Sequence, residues 1–238
     1  MVHASPDASG DDVLEALAVA RPRATLVLNG GTAPVEAPLA EHLAAVLAGG
    51  VASLACRDRL TVVTGGTDAG IFALYGAGVT TLSAPLVGVA PAGLVRLPDG
   101  AARRPPSDGG GRDRVPLEPA HSHHVLVDGL RWGDETPVML RLVAALDRYG
   151  PTVALLAGGG AVSAREVLGH VQAGRPVVVL AGSGRLADDI VAARRGAVDN
   201  GVVAALAASP LVTVIELADG PAAVVSALRL LLRLAPAP

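Results

Sequence analysis

The chain has 238 residues, of which 51% are hydrophobic and only 2% aromatic, and its formal net charge is -3. A slightly acidic chain without a block of basic residues excludes the electrostatic footprint of a nucleic-acid-binding protein. The single cysteine, Cys56, excludes an intramolecular disulfide and is typical of a reducing cytoplasm. The length and apolar content predict a single domain with a large core of Ala, Val and Leu side chains.

Two stretches bear on export and membrane insertion. The N-terminus carries Asp7, Asp11 and Asp12 before any apolar run, which excludes a secretory signal. Residues 69–95 hold no charged residue, but glycines and prolines interrupt them throughout, and threonine and serine lie at their centre. We therefore predict a cytoplasmic protein without a membrane-spanning segment.

Strand and helix patterns alternate along most of the chain. Residues 1–20 are predicted to form a polar tail and a short helix, and residues 21–238 a single domain. Apolar runs predict strands at 24–28, 60–63, 85–89, 121–128, 152–156, 176–180 and 212–217. Helices are predicted at 35–47, after 70, around 139–146, up to 172, from 186, at 198–208 and at 221–234. Residues 93–119, rich in Gly, Pro, Arg and Asp, are predicted to be a long polar loop.

This alternation predicts the fold class. Continuous apolar strands between helices indicate a Rossmann-like, doubly wound α/β fold, with a mainly parallel sheet and helices on both faces. Glycine-rich turns follow the carboxyl ends of several predicted strands, where open α/β sheets bind ligands. We expect these turns to converge on one crevice.

Residues 151–189 contain two strand-turn-helix units in tandem. The first turn is Gly158-Gly159-Gly160, followed by Ser163, and the second is Gly182-Ser183-Gly184-Arg185. Glycines let the backbone approach a ligand closely, and the following helix presents unpaired N–H groups and the positive end of its dipole. Both turns are also compatible with tight turns alone, with Ser163 as a helix cap and Arg185 on the surface. As ligand sites, they predict a molecule with two linked phosphates.

Four motifs together resemble the SLOG superfamily of Rossmann-like nucleotide binders, and within it the branch typified by the cytoplasmic N-terminal region of the TRPM cation channels. The stretch from Thr64 to Gly70 looks like the Thr-Gly-Gly turn of that branch, and Gly88-Val89-Ala90-Pro91 looks like its Gly-Ile-Ala-Pro element. The stretch from Leu117 to Asp128 is similar to its Leu-Asp-Pro-Asn-His-Thr-His-Phe strand, with Ala120 and His124 as departures. Residues 182–188 match its Gly-Ser-Gly-Arg-x-Ala-Asp turn outright.

The resemblance implies a pocket for ADP-ribose, NAD or a related nucleotide, with no required cofactor. It also implies a homo-oligomer that senses this ligand, without a channel segment. Asp128 is expected at the crevice edge, where its carboxylate would either accept from a ribose hydroxyl or form a turn with Gly129. The predicted ligand-binding residues are Gly30, Gly31, Thr32, Thr64, Gly65, Gly66, Asp68, Asp128, Gly158, Gly159, Gly160, Ser163, Gly182, Ser183, Gly184 and Arg185.

Glu166 raises the question of catalysis. Sister SLOG enzymes that hydrolyse the N-glycosidic bond of nucleoside monophosphates carry a Pro-Gly-Gly-x-Gly-Thr-x-x-Glu motif. Residues 158–166 keep its register and its glutamate, but the Pro and the third Gly are replaced. Those enzymes also use an arginine on the preceding helix, for which Arg141 is the counterpart by position. Three functions remain open: ligand binding, with Glu166 merely stabilised by the helix dipole, hydrolysis by Glu166 and Arg141, or a purely structural or assembly module whose crevice turns are filled by side chains.

His121 and His123 alternate along one predicted strand and therefore face the same side. This spacing is compatible with metal binding, but no third ligand accompanies the pair at a diagnostic distance. We predict hydrogen bonding rather than a metal site.

Overall fold

The computed structural model describes residues 1–97, 114–197 and 201–235. Its strands are β1 (Val2–Ala4), β2 (Thr25–Gly30), β3 (Thr61–Thr64), β4 (Leu86–Pro91), β5 (Val95–Arg96), β6 (Val115–Pro116), β7 (His123–Val127), β8 (Thr152–Ala157), β9 (Val177–Ala181) and β10 (Val212–Glu216). Its helices are α1 (Gly10–Leu17), α2 (Ala37–Ala44), α3 (Ser53–Asp58), α4 (Gly70–Gly76), α5 (Thr136–Asp147), α6 (Ala161–Gln172), α7 (Arg185–Arg194), α8 (Val202–Ala208) and α9 (Gly220–Leu231).

Eight strands form one parallel sheet in the order β1-β7-β4-β3-β2-β8-β9-β10. Helices pack on both faces, because successive side chains of a strand point to opposite sides. In β2, Leu26 and Leu28 join the core beneath α2, α3 and α9, whereas Val27 joins the core beneath α5, α6 and α7. The predicted Rossmann-like, doubly wound α/β fold is confirmed.

The strand order reverses between two neighbouring strands. From β2 the chain proceeds outward through β3 and β4, and β8 then begins a second outward run through β9 and β10. The neighbouring strands β2 and β8 therefore form the topological switch point, where the turns after them diverge to opposite faces of the sheet. The turn after β2 contains Gly31, and the turn after β8 contains Gly158 to Gly160.

The N-terminal residues are part of the sheet, which corrects the predicted polar tail. Val2–Ala4 pairs in parallel with β7 at the sheet edge, and α1 packs against α5. Arg141 on α5 holds the connecting segment, since its Nε donates to the Ala8 carbonyl at 2.8 Å and its guanidinium also donates to the Pro6 carbonyl. A short strand with few apolar residues gives little pattern in the sequence, so its pairing depends on these distant contacts.

The helix after β2 is longer than predicted. A π-helical segment, Ala45–Ala52, joins α2 to α3, so the helix continues through Gly49-Gly50 to Asp58. A Cβ on Gly50 would lie 2.9 Å from the Pro221 Cβ, which shows how closely α9 approaches at this glycine. Within the described ranges, the helix Ala37–Asp58 is long and apolar enough to cross a membrane by length and composition alone. In the structure, however, it contributes Leu43, Leu47 and Leu54 to the protein core.

Residues 93–119 were predicted to be a long polar loop. At its two ends, β5 and β6 pair in parallel, and the bond from Leu117 N to Arg96 O extends this small sheet. The part of the predicted loop from 98 to 113 lies outside the described residues, as do residues 198–200 of the helix predicted at 198–208.

Candidate functional site

A cleft lies at the carboxyl ends of β2, β3 and β8, and it consists of two adjoining pockets of about 340 and 330 Å³. Gly31, Ala33 and Arg185 line both pockets. The first, here called the carboxylate pocket, is lined by residues 30–33, Gly65, Thr67, Phe72, Trp132, Glu135, residues 160–163, Glu166 and Arg185. The second, here called the apolar pocket, is lined by Gly31, residues 33–36, Pro38, Leu39, Leu43, Ile71, residues 157–159 and residues 183–185.

Glu166 lies in the carboxylate pocket and is only 5% exposed. Asn29 Nδ2 donates to its Oε2 at 3.1 Å, and Thr136 Oγ1 makes a longer contact of 3.5 Å with its Oε1. Burial raises the pKa of the Glu166 carboxyl, while these two donors and the charge of Arg165 act in the opposite direction. The sequence alternative of a solvated Glu166 is therefore wrong, because this carboxyl is buried in the cleft.

Glu135 is a second buried carboxyl in the same pocket, and the sequence analysis did not identify it. It occupies the N-cap position of α5, and the Gly133 N–H donates to its Oε2 at 2.7 Å. Burial raises the pKa of Glu135 to about 7, and the negative charge of Glu166 adds to this rise. Its position just before Thr136-Pro137, at the start of a helix, was the only available signal, and that position is equally typical of a cap.

Two more buried polar atoms near these carboxyls have no hydrogen-bond partner among the described residues. They are Asn29 Oδ1 and Thr67 Oγ1, and Asn29 and Thr67 are at most 1% exposed. Buried polar atoms are normally hydrogen-bonded, so each unpaired one requires an explanation. Thr67 lines the carboxylate pocket, whereas Asn29 lines neither pocket and contacts Glu166.

Aromatic side chains are concentrated at this pocket. The chain has one Trp and one Phe, and both Trp132 and Phe72 line the carboxylate pocket. Trp132 is 38% exposed at the rim, whereas Phe72 is buried beneath Gly65. In a protein so poor in aromatics, this placement provides flat apolar surfaces against which a planar base can pack.

The first turn of α6 can bind an anion. Gly160 occupies the N-cap without a side-chain cap, and residues 160–163 line the carboxylate pocket. The N–H groups of a first helical turn lack partners within the helix and, together with the helix dipole, favour negative charge. Ser163 lines the pocket and also connects α6 to the end of β2, because its Oγ donates to the Gly30 carbonyl at 3.1 Å.

Arg185 lies beside this turn. A Cβ on Gly160 would lie 3.4 Å from one terminal nitrogen of Arg185, and a Cβ on Gly31 would lie 3.6 Å from the other. The guanidinium therefore stands between the turns after β2 and β8. It is exposed, and it forms no hydrogen bond or ion pair with any residue that the structure describes.

The backbone of the Gly182–Arg185 turn does not act as a phosphate cradle, which corrects the symmetrical roles predicted for the two turns. Asp188 accepts from the N–H groups of Gly182 and Gly184 at 2.6 and 3.1 Å. The first-turn N–H groups of α7 donate to the Gly158 and Gly159 carbonyls. Ser183 Oγ accepts from Gly158 N at 2.8 Å. This turn thus supports the neighbouring one and contributes only the Arg185 side chain to the carboxylate pocket.

Beneath the Thr64–Gly70 turn, a buried chain of hydrogen bonds joins three side chains. Glu118 Oε2 lies 2.6 Å from His121 Nδ1, and His121 Nε2 lies 2.7 Å from Thr64 Oγ1, which accepts from Gly66 N at 2.9 Å. Thr64 is fully buried and lines neither pocket, and its hydroxyl shapes the turn. Gly65 and Thr67 are the residues of this turn that line the cleft.

Several predicted site residues lie elsewhere. Arg141 does not line the cleft, because its guanidinium is bound to the N-terminal segment. Asp128 follows β7, which β3 and β4 separate from β2, and it lines neither pocket. Thr64, Gly66, Asp68 and Gly182 are also absent from the lining of both pockets.

The predicted histidine pair is divided between two environments. His121 is engaged by Glu118 and Thr64, whereas His123 Nδ1 contacts Ser122 Oγ at 2.8 Å. Within residues 1–97, 114–197 and 201–235, no group of three or more His, Cys, Asp or Glu side chains is placed to hold a metal ion.

The fold and the cleft define a doubly wound α/β protein with a candidate ligand site at its topological switch point. A family model described as SLOG in TRPM, prokaryote, matches residues 23–226, and the chain therefore belongs to this family. The resemblance identified from the four sequence motifs is confirmed. No curated protein matches the chain.

Proposed function

We propose that this protein binds a nucleotide diphosphate, such as ADP-ribose or an NAD derivative, and acts as a cytoplasmic sensor of it. The observation that carries this proposal is the position of Arg185 between the turns after β2 and β8, exposed and without a partner among the described residues. A phosphate at the α6 first turn would receive backbone N–H donors and a charge-assisted bond from Arg185.

The two pockets suit the other parts of such a ligand. A sugar in the carboxylate pocket would meet Glu166 and Glu135, whose carboxyl oxygens are acceptors for its hydroxyl groups. A base would pack on Trp132 and Phe72, or in the apolar pocket beyond Arg185. Because Arg185 lines both pockets, a diphosphate between two such groups fits better than a single phosphate.

Isothermal titration calorimetry with ADP-ribose, NAD, AMP and cyclic ADP-ribose tests the proposal. We expect binding of at least one diphosphate compound, and an Arg185→Gln variant should bind it roughly 10- to 100-fold more weakly, as expected for a lost charge-assisted bond. Arg57→Gln is the matched control, since Arg57 is exposed on α3, which ends just before the amino end of β3 and lines neither pocket. A folded protein that binds none of the four compounds would contradict the proposal.

The alternative function, N-glycoside hydrolysis by Glu166 together with Arg141, loses its second residue, because the Arg141 guanidinium is engaged with Pro6 and Ala8. Any hydrolytic role of Glu166 requires another partner.

A further inference from the structure

The lining of the carboxylate pocket contains groups of both signs. Arg185 and the uncapped first turn of α6 form the positive part, to which the proposed function assigns a phosphate. The negative part consists of Glu135, directly before α5, and Glu166, in the second turn of α6. Both glutamates are 5% exposed, and the charge of Glu166 acts on the Glu135 carboxyl. A phosphate beside Arg185 would therefore leave two buried acids without a positive counterpart in the pocket.

No basic side chain is paired with these two carboxyls. Neither Glu135 nor Glu166 forms a salt bridge within the described ranges. The charge of Arg165 acts on Glu166, but Arg165 is exposed on α6 and does not line the pocket. Burying a carboxylate is costly unless a positive group pairs with it or it takes up a proton. The pair is therefore suited to a positively charged group that comes from a ligand.

Two further features of the lining indicate what kind of cation fits. Thr67 lines the pocket, is fully buried, and its Oγ1 has no partner among the described residues, so it is available to a polar substituent of a ligand. Trp132 and Phe72 line the same pocket, and aromatic faces attract cations and pack against planar rings. Acids, a free hydroxyl and aromatic faces together fit a flat cationic ring that carries a polar group.

We propose that the carboxylate pocket binds the pyridinium ring of oxidised NAD, NAD⁺, and discriminates against nucleotides that lack this positive charge. The inference rests on the proposed function and deepens it, because the diphosphate keeps its place at α6 and Arg185. The ring packs on Trp132 and Phe72, its charge is balanced by the two glutamates, and its carboxamide pairs with Thr67 Oγ1.

The adenosine half of NAD⁺ then occupies the apolar pocket. Arg185 lines both pockets, so a diphosphate beside it joins a group in one to a group in the other. The apolar pocket has a volume of about 330 Å³, and Leu39, Leu43 and Ile71 contribute to its lining. An uncharged adenine is compatible with this lining, whereas a pyridinium there would lie away from the two buried acids.

The charge of the ring is what separates NAD⁺ from its close analogues. NADH carries the same diphosphate and has nearly the same size, but its dihydronicotinamide ring is uncharged. ADP-ribose ends in a sugar and has no ring at this position. Since only the pyridinium compensates the buried carboxyls, a sensor with this pocket responds to the oxidised form of the cofactor.

Isothermal titration calorimetry of the full-length protein with NAD⁺, NADH and ADP-ribose, in the presence of EDTA, tests the inference. We expect NAD⁺ to bind roughly 10-fold or more tightly than NADH, as expected for a desolvated cation between acids and aromatic faces. In the double variant Glu135→Gln/Glu166→Gln, which keeps the size of both side chains, the ratio of the two affinities should fall to within about three-fold.

The ratio distinguishes a charge effect from a structural one. A variant that merely distorts the cleft weakens both ligands and leaves the ratio of their affinities unchanged, and circular dichroism melting identifies a variant that does not fold. Glu41→Gln is the matched control and should keep the wild-type ratio, because Glu41 is an exposed carboxylate on α2 that lines neither pocket.

Proton release provides a second measurement, made on the wild-type protein alone. Burial raises the pKa of both carboxyls, that of Glu135 to about 7, and a bound cation favours their ionised forms. Titrations at pH 7 in PIPES and Tris buffers should therefore show that NAD⁺ releases protons and that NADH releases none. The other charged groups near the pair are Asp134, Arg165 and Arg185, and their contribution cancels between two ligands that carry the same diphosphate.

The outcomes separate this inference from the proposed function. Equal affinities for NAD⁺ and NADH would overturn the inference and leave the proposed function standing. A preference for NAD⁺ that persists in the double variant would also overturn it, as would binding of NADH or ADP-ribose that requires added Mg²⁺, since a metal ion would then pair with the carboxyls. Absence of binding by all three compounds would contradict the inference and the proposed function together.

Discussion

Asn29 at the end of β2 donates from Nδ2 to Oε2 of Glu166 on α6 at 3.1 Å, across residues 137 positions apart in the chain. This bond joins the two halves of the doubly wound sheet at the point where the strand order reverses. It also provides the closer of the two side-chain donors to a carboxyl that is buried in the cleft.

The Asn29–Glu166 bond should be measurable as a coupling energy. Asn29→Leu removes the closer of the two side-chain donors to a buried carboxylate, and we expect a loss of about 1–3 kcal/mol in the free energy of unfolding. In a double-mutant cycle with Glu166→Leu, urea denaturation should give an interaction energy of about 1–2 kcal/mol. Strictly additive effects of the two substitutions would show that this hydrogen bond contributes nothing to stability.

Ser183 should stabilise the turn after β8 from a distance. Its hydroxyl donates to the Leu180 carbonyl and accepts from the Gly158 N–H, so Ser183→Ala leaves a buried N–H without a partner. We expect a loss of about 1–3 kcal/mol in chemical denaturation. Ser53→Ala is the control, since Ser53 makes no side-chain hydrogen bond with any residue in the described ranges, and it should change stability by less than about 0.5 kcal/mol.

Glu135 should make the protein less stable as the pH rises. Its pKa in the folded protein is about 7, above the value of 4.5 for a free glutamate, so the folded state keeps a proton that the unfolded state loses. The resulting stability is fully present below about pH 4.5 and disappears as the pH passes 7, a change of roughly 3 kcal/mol. Glu135→Gln should remove this component when unfolding free energies are compared at pH 5 and pH 8. An identical pH dependence in the wild type and the variant would contradict the expected protonation of Glu135.

The buried side chain of His170 should lower the free energy of unfolding. It is fully buried in α6, neither ring nitrogen has a partner among the described residues, and burial lowers its pKa to about 3. His170→Leu should therefore raise the free energy of unfolding at pH 7 by about 1–3 kcal/mol, because it removes unpaired polar atoms from the core.

The acid dependence of His170 provides a second measurement. The unfolded chain takes up a proton near pH 6.5 and the folded protein near pH 3, so wild-type stability should fall by about 3 kcal/mol between pH 7 and pH 4 from this residue alone. His170→Leu should lack this component, whereas His42→Gln, at an exposed position on α2, should retain it. An unchanged acid dependence in His170→Leu would show that His170 has a partner in solution.

The strands were predictable because they are buried on both faces and therefore consist of continuous apolar runs. The ends of β8 and β9 lie within about one residue of the prediction, and the glycine turns follow them as expected. The N-terminal strand was missed, because Val2–Ala4 is too short to show a pattern and pairs with residues about 120 positions away. The helix after β2 was predicted to end before Gly49, although Gly50 instead permits the close packing of α9.

In the candidate site, too, residues next to a local motif were predictable, and residues placed by helix packing were not. Glu166 and Arg185 were identified from motifs, since their spacing from a glycine turn is local and places both within the first two turns of a helix at the carboxyl edge of the sheet. Glu135 follows a turn with a single glycine, Gly133, and not a run of glycines. Arg141 occupies the expected position on the preceding helix but bonds to the segment before α1. Which face of α5 meets the cleft depends on how that helix packs, and the spacing of residues along α5 does not reveal it.

The sequence by itself determined the fold class, the family and the edge of the sheet that carries the candidate cleft, because strand patterns and glycine turns are properties of neighbouring residues. Only the tertiary structure decided which side chains meet in the cleft. Arg141 and Asp128 do not line the cleft, whereas Glu135 does. The Gly182–Arg185 turn packs against the turn after β8 and stabilises it through hydrogen bonds. Such assignments depend on burial and hydrogen bonding between distant segments, and these exist only once the chain has folded.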